Sequence, residues 1–227
     1  MKILLVAATL AEVTPLAVAL TLDLDKHKHR YQCAYKGHEI TLLITGVGMV
    51  ATAFQMGRLE SKSYDVALNV GIAGSFNRVL AIGEVLNITL DCFSELGADY
   101  GDRFIPLYSM DFAKEFDNGI INKNCEIQNN SQTTNKLITD LKQAKGITVN
   151  TINGNEERIE KVMQQFSPDV ESMEGAAFLY GCMLKQIPCF QIRGISNYIE
   201  ARNLNNWNIP FAISMVNKSV VDILDGF

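Results

Sequence analysis

The stretch "VESMEGAAFLYGCMLKQIPCFQIRGISN", residues 170 to 197, reads as a helix followed by a strand. From Met173 to Lys185 the interior "GAAFLYGCML" is almost wholly apolar, the pattern of a helix buried all round. Pro188 ends it, and the apolar run from Cys189 to Gly194 reads as a buried strand. The polar residues gather at the ends of this unit. Glu171 and Glu174 stand at the head of the helix, where one can cap it and the other complement its dipole. Arg193, Ser196 and Asn197 stand where the strand runs out, and Ser and Asn are common turn residues.

The same alternation extends along the chain. Further strands are expected over Lys2 to Ala8, Glu39 to Thr45, Val66 to Val70, Glu84 to Leu90 and Ile147 to Thr151. Helices are expected over Glu12 to Leu22, Met49 to Ser61, Thr134 to Lys145, Glu156 to Phe166 and Pro210 to Leu224. This alternation predicts an α/β fold whose largely parallel sheet is covered on both faces. Residues 110 to 132, rich in Asn, read as a surface excursion. With 227 residues, 48% of them hydrophobic, the chain has enough apolar surface for one domain over residues 1–227.

The net charge of −5 and the scattered basic residues argue against a nucleic-acid or anionic-membrane surface. Five cysteines without a C-x-x-C pair fit reduced thiols in a cytoplasm better than a disulfide framework. The apolar N-terminus is interrupted by Glu12 and reads as a buried strand, not a signal peptide. His27, His29 and His38 sit in a polar stretch and are expected in solvent, not on a metal.

In a sheet of this type ligands gather at the carboxyl ends of the strands. Glu12 follows the first strand, where an acidic residue also complements a helix N-terminus. Gly46, Gly48 and Ala51 have the spacing of a dinucleotide fingerprint, but Asp65 precedes the next strand instead of ending it, which weakens an NAD-linked oxidoreductase reading. Gly71 and Gly74 flank a turn whose N–H groups can hold an oxyanion or a water, or serve as a plain turn.

In order along the chain, "MKILLVAATLAEV", "TGVGMVATA", "NVGIAG" with "IGEV", "ESMEGAAF" and "IRGISN" resemble the nucleoside phosphorylase and nucleosidase superfamily. The resemblance implies a single α/β domain with a central mixed, partly barrel-like sheet flanked by helices, assembled as a homodimer or larger homo-oligomer. It implies Glu174 as the carboxylate for the ribose 2′- and 3′-hydroxyls, Met173 as the apolar floor of the sugar, and Glu12 as general base for water. Arg193 would help to hold that water, Ser196 and Asn197 would meet the base, and Gly46, Gly71 and Gly74 would form the water or anion turn.

Adenine-specific members of the family carry an Asp at the position matching Asn197. An amide cannot deliver a proton to N7, but it offers a donor and an acceptor that suit a six-oxopurine. Within the family the chain most resembles the futalosine hydrolase branch, on "GIAG", "ELGAD", "VESMEGAAF", "ISNYIEARN" and "NWNIPFAI". That branch releases hypoxanthine in menaquinone biosynthesis, with a small-molecule nucleoside as partner and no metal or organic cofactor. Ile72 replaces a Ser that helps hold the water in adenine-specific relatives. No Arg precedes Arg78 near the glycine turn, so water is expected over phosphate as nucleophile. Tyr100, Arg103, Tyr198, Arg202 and Trp207 are candidates for the aryl-carboxylate end of futalosine, with Arg103 or Arg202 holding the carboxylate. The loop "TINGNEER" is expected to close over the base. The alternatives are a methylthioadenosine/S-adenosylhomocysteine nucleosidase, a six-oxopurine nucleoside phosphorylase and a non-catalytic nucleoside-binding module.

Overall fold

The computed structural model describes residues 1–101, 103–111, 119–201 and 203–227. Its first strand, β1 (Lys2–Ala7), buries five consecutive apolar side chains from Ile3 onward, which requires cover on both faces. β1 runs parallel to β3 (His38–Ile44) on one side and to β4 (Val66–Ser75) on the other. β2 (Arg30–Tyr35) pairs antiparallel with β3 and ends the sheet there. Beyond β4 come β11 (Cys189–Tyr198), β5 (Val85–Cys92), β9 (Lys142–Thr148) and β10 (Val170–Ser172).

β10 pairs not only with β9 but also antiparallel with β4, through Val170 opposite Ser75 and Glu171 opposite Gly74. Five strands therefore close on themselves, and β1, β3 and β2 extend from the wall of this small barrel. The sheet is mixed and partly barrel-like, as the family resemblance implies. The hairpin β6 (Gly97–Tyr100) and β7 (Arg103–Pro106) stands apart, while β8 (Glu126–Gln128) adds to β5.

Consecutive strand residues point to opposite faces. Leu5 belongs to a core with Val13 and Leu16 of α1 (Leu10–Ala19) and Val216, Val220 and Ile223 of α6 (Ile209–Asp225). Leu4 belongs to another, with Met56 of α2 (Met49–Gly57) and Phe178, Leu179 and Cys182 of α5 (Gly175–Lys185). All five cysteines are free. Among the described residues no helix is long and apolar enough to cross a membrane.

The predicted helix over Thr134 to Lys145 is not formed. Only α3 (Lys136–Thr139) is helical, and Lys142 onward is strand β9 between β5 and β10. Pairing on both sides overrides a local helical pattern, and Gly146 admits the close packing of Ile88 and Asp91. The strand expected over Ile147 to Thr151 accordingly starts earlier and leaves the sheet earlier. β4 and β11 run several residues past their predicted ends, and polar β2 and the short β8 and β10 were not predicted. Within the stretch 110–132, residues 112–118 lie outside the described residues. α4 (Glu156–Phe166) matches its prediction.

Pro15 lies inside α1, where it has no N–H and crowds the preceding turn. The side chain of Asn217 in α6 inserts at this weakened place. Its Oδ1 accepts from Leu16 N at 3.0 Å, while its Nδ2 donates to Glu12 O at 2.7 Å and Ile213 O at 2.6 Å. One buried amide thus satisfies both groups of an interrupted helical bond and ties the two helices together. Asn217→Ala is expected to destabilise the protein by about 1–3 kcal/mol, as buried backbone groups lose their partners; urea unfolding with an unchanged m-value measures this.

Candidate active site

The carboxyl ends of β1, β4, β10 and β11, the turns that lead from β3 into α2 and from β10 into α5, and the first turns of α1 and α6 surround a cavity of about 270 Å³. Glu12, Ile72, Gly74, Met173, Glu174, Ser196, Asn197 and Trp207 line it, together with Ile152 and Glu171. Among the described lining residues there are three carboxylates and no lysine or arginine.

Glu12 enters the cavity from the first turn of α1. Its Oε2 is held by Thr9 N and Thr9 Oγ1, each at 2.9 Å, while Glu12 N donates to Thr9 Oγ1 at 3.3 Å. This is a capping box, so the helix-cap reading of Glu12 holds. The same bonds leave Oε1 facing Gly71, where a Cβ would lie 3.0 Å from it. Burial pushes the Glu12 carboxyl above the ordinary carboxylate range; the Arg193 charge opposes the shift, Glu174 adds to it, and the Thr9 bonds lower it.

Arg193 stands behind Gly71 and is 1% exposed. A Cβ at position 71 would collide with its Nη1, so the missing side chain lets the guanidinium approach. Nη1 lies 3.7 Å from Glu174 Oε2. Glu174 occupies the N-cap of α5 without capping it, and its Oε1 accepts from Gly48 N at 3.0 Å. Gly46 and Gly48 have φ of 88° and 94°, left-handed values that favour glycine and turn the chain from β3 into α2. Gly46 does not line the cavity; Val47 between the two glycines does.

A bulge in β11 between Ile195 and Asn197 aims Ser196 and Asn197 at the cavity beside Gly74. Asn197 Nδ2 donates to Tyr198 O at 3.1 Å, and Asn197 Oδ1 lies 2.8 Å from Ser196 Oγ, whose one proton also has Ala73 O at 3.2 Å as an acceptor. The Tyr198 carbonyl, which can only accept, assigns the amide, and one N–H of Nδ2 remains.

The residues that sequence reasoning missed belong to the far wall. Glu171 does not cap α5; it sits in β10, and it accepts from Asn153 N at 3.1 Å and Asn153 Nδ2 at 2.6 Å. This clasp holds the loop that carries Ile152 into the cavity. Burial raises the Glu171 carboxyl to about 7, against the lowering effect of the Asn153 bonds. The pairing of two glutamates around Met173 was the available signal, but only the β10–β4 pairing turns Glu171 inward.

Other candidates lie elsewhere. Arg103 lines a neighbouring groove with Glu95 and Arg158, and its guanidinium stacks on Tyr100, 5.5 Å from the ring centroid. Tyr198 donates to Leu80 O at 2.9 Å and carries Arg78 over its ring. Arg202 lies outside the described residues. His27 and His29 are exposed and His38 is partly buried, all remote from the cavity lining. Val47, just before α2, and Val50 and Phe54 on α2 are exposed.

The model of the phosphorylase superfamily matches residues 2–225. Over 87% of its length the chain is 30% identical to an aminodeoxyfutalosine nucleosidase of Campylobacter jejuni, covering 86% of that protein. It is 26% identical to a 5′-methylthioadenosine/S-adenosylhomocysteine nucleosidase of Buchnera aphidicola, over 84% of the chain and 82% of that protein. The solved futalosine hydrolase of Helicobacter pylori has the same fold, with a TM-score of 0.81 at 18% identity over 100% of this chain and 98% of that one.

Because the folded-state pKa of Glu171 is raised, its contribution to stability is fully present below the ordinary value of 4.5 and lost as pH rises through about 7. Glu171→Gln removes this loss. Melting curves are therefore expected to coincide near pH 4 and to favour the variant at pH 8, by up to about 3 kcal/mol.

Proposed function

The chain belongs to the phosphorylase superfamily, and from that premise we propose that it hydrolyses the N-glycosidic bond of futalosine, releasing hypoxanthine and leaving dehypoxanthine futalosine. In this reading it is a cytoplasmic enzyme of menaquinone biosynthesis, one nucleosidase-like domain over residues 1–227, working without metal or organic cofactor.

The observation that carries the choice of base is Asn197. The Tyr198 carbonyl sets the direction of its amide, and its spare N–H suits O6 of a six-oxopurine. A carboxylate there would repel O6. Discrimination by a satisfied against an unsatisfied buried polar contact reaches about 10⁴-fold.

The lining supports hydrolysis over phosphorolysis, because among its described residues no lysine or arginine offers a charge-assisted donor to a phosphate dianion. Water attacks C1′ as the bond from C1′ to N9 breaks, and the bonding pair leaves with the base, which departs as the hypoxanthine anion and takes its proton from solvent. The sugar passes through an oxocarbenium-like state, which the nearby carboxylates stabilise. Glu12 Oε1 takes the water proton, and a carboxylate raised toward neutrality is suited to that task. Glu174 accepts from the ribose 2′- and 3′-hydroxyls, Met173 packs beneath the sugar, and Arg193 holds the water near Gly71.

A second reading, a methylthioadenosine or S-adenosylhomocysteine nucleosidase, draws support from the apolar wall of Val47, Ile209 and Ile213, which suits a thioether tail. We also propose a homo-oligomer. Val50 and Phe54 project one turn apart from α2 at 77% and 65% exposure, beside Val47 at the cavity wall, and a second copy of the chain covers them.

Purine release from futalosine, inosine and methylthioadenosine, each with and without phosphate, tests the reading. Hypoxanthine is expected from futalosine at a rate indifferent to phosphate, with a loss of about 10²–10⁴-fold in Glu12→Gln. Adenine release from methylthioadenosine favours the second reading, a requirement for phosphate makes the enzyme a phosphorylase, and no release from any substrate refutes all three. Light scattering is expected to give a multiple of the 25.2 kDa chain and to fall toward the monomer for Phe54→Asp.

A further inference from the structure

Arg193 is the largest side chain among the fully buried ones, and two amide oxygens hold it. Its Nε donates to Gln191 Oε1 at 3.1 Å and its Nη2 to Asn69 Oδ1 at 2.5 Å. The two ends of an amide have nearly the same shape, so a neighbour at the far end must decide which end faces the guanidinium. For Asn69 that neighbour is a backbone carbonyl, Val6 O, which accepts from Nδ2 at 3.0 Å. For Gln191 it is Asp91, whose Oδ2 accepts from Nε2 at 2.8 Å.

Asp91 lies outside the cavity and is 0% exposed. Its Oδ1 accepts from Cys92 N at 2.8 Å and from Thr148 Oγ1 at 3.0 Å. Thr148 Oγ1 itself accepts from Ala176 N, in the first turn of α5, at 2.7 Å, so the single hydroxyl proton goes to Asp91. Every bond from the head of α5 to the guanidinium therefore has a defined direction, set by one acceptor-only group. Burial pushes the Asp91 carboxyl upward, while the Gln191, Cys92 and Thr148 bonds and the Arg193 charge hold it down. A Cβ on Gly175 would collide with Asp91 Oδ2 and Gln191 Oε1, and one on Gly146 would lie 3.1 Å from Asp91 Oδ2. Two glycines thus make room for this carboxylate inside the barrel.

We propose that Asp91 is a positioning residue for hydrolysis: acting through Gln191, it fixes the Arg193 guanidinium with Nη1 directed at Gly71, Glu12 and Glu174. The proposal rests on the reading of Arg193 as the group that holds the attacking water. It predicts a reciprocal exchange. In Asp91→Asn the new NH₂ group opposes Gln191 Nε2, and turning the Gln191 amide to relieve that contact sets Nε2 against Arg193 Nε. In the double variant Asp91→Asn/Gln191→Glu the carboxylate at position 191 accepts from both the amide at position 91 and Arg193 Nε. The total charge and the acceptor that faces Arg193 Nε are then restored, with the bond between positions 91 and 191 reversed.

The test compares kcat and KM for futalosine hydrolysis in the wild type, both variants and Arg193→Gln, with a melting curve for each. Asp91→Asn is expected to lower kcat at least about tenfold with KM changed by less than about twofold, and the double variant to regain most of that loss. Wild-type kcat in Asp91→Asn, or a double variant no faster than the single one when both are folded, overturns the proposal. If Asp91→Asn does not fold, the double variant decides alone: a kcat within about threefold of wild type supports the proposal, and a larger loss overturns it. Arg193→Gln separates the two levels. Full activity in that variant sinks the reading of Arg193 itself, whereas its inactivity beside a fully active Asp91→Asn sinks only the role of Asp91.

Discussion

A guanidinium buried at the centre of a closed sheet is the constraint on which the rest of the site depends. Removing an unpaired charge from water costs several kcal/mol, so Arg193 must be surrounded by acceptors. The fold supplies them in two kinds. Carboxylates, Glu174 at 3.7 Å with Glu12 nearby, balance its charge from the cavity side. Amide oxygens of Asn69 and Gln191 satisfy its N–H groups from the protein side. Polar residues in the middle of β4 and β11, where hydrophobic side chains are the rule, follow from that requirement.

Closure of the sheet gives these groups their positions. Because β10 returns to pair with β4, the turn after β10 delivers Met173 and Glu174 opposite the ends of β4 and β11. The same pairing places Glu171 opposite Gly74 and lets it clasp the loop at Asn153. α1 contributes Glu12 from the other side, braced by Asn217 where Pro15 breaks its hydrogen-bond ladder. Rigid elements on three sides therefore converge on Gly71 and Gly74, whose missing side chains leave space for Arg193 and Ile199.

Much of this was legible in the sequence. The all-apolar run of β1, the buried helix α5 and the glycines at 46 and 48 each carry a local signature, whereas Gly71 and Gly74, which read as a turn, lie inside β4 because β11 pairs along both of them. Glu12 and Glu174 stand at helix starts and Asn197 just past the predicted end of a strand, so the rule that ligands gather at strand ends singles them out, whereas Arg193 lies within β11. Reading fails where the chain's local preference and its neighbours disagree. The segment from Lys142 to Lys145 reads as the end of a helix, yet begins strand β9 because β5 and β10 hydrogen-bond to that strand on either side.

By itself the sequence determined the alternation of strand and helix, and with it the α/β class and the polar residues at strand ends, because these depend on periodicity and on residues adjacent in the chain. Only the tertiary structure decided that the sheet closes, that Glu171 faces the cavity and Arg103 does not, and that Asp91 reaches Arg193 through Gln191. Those outcomes depend on pairings between strands as many as 100 residues apart. The direction of a buried hydrogen bond is set by the partner at its far end, and no local pattern identifies that partner.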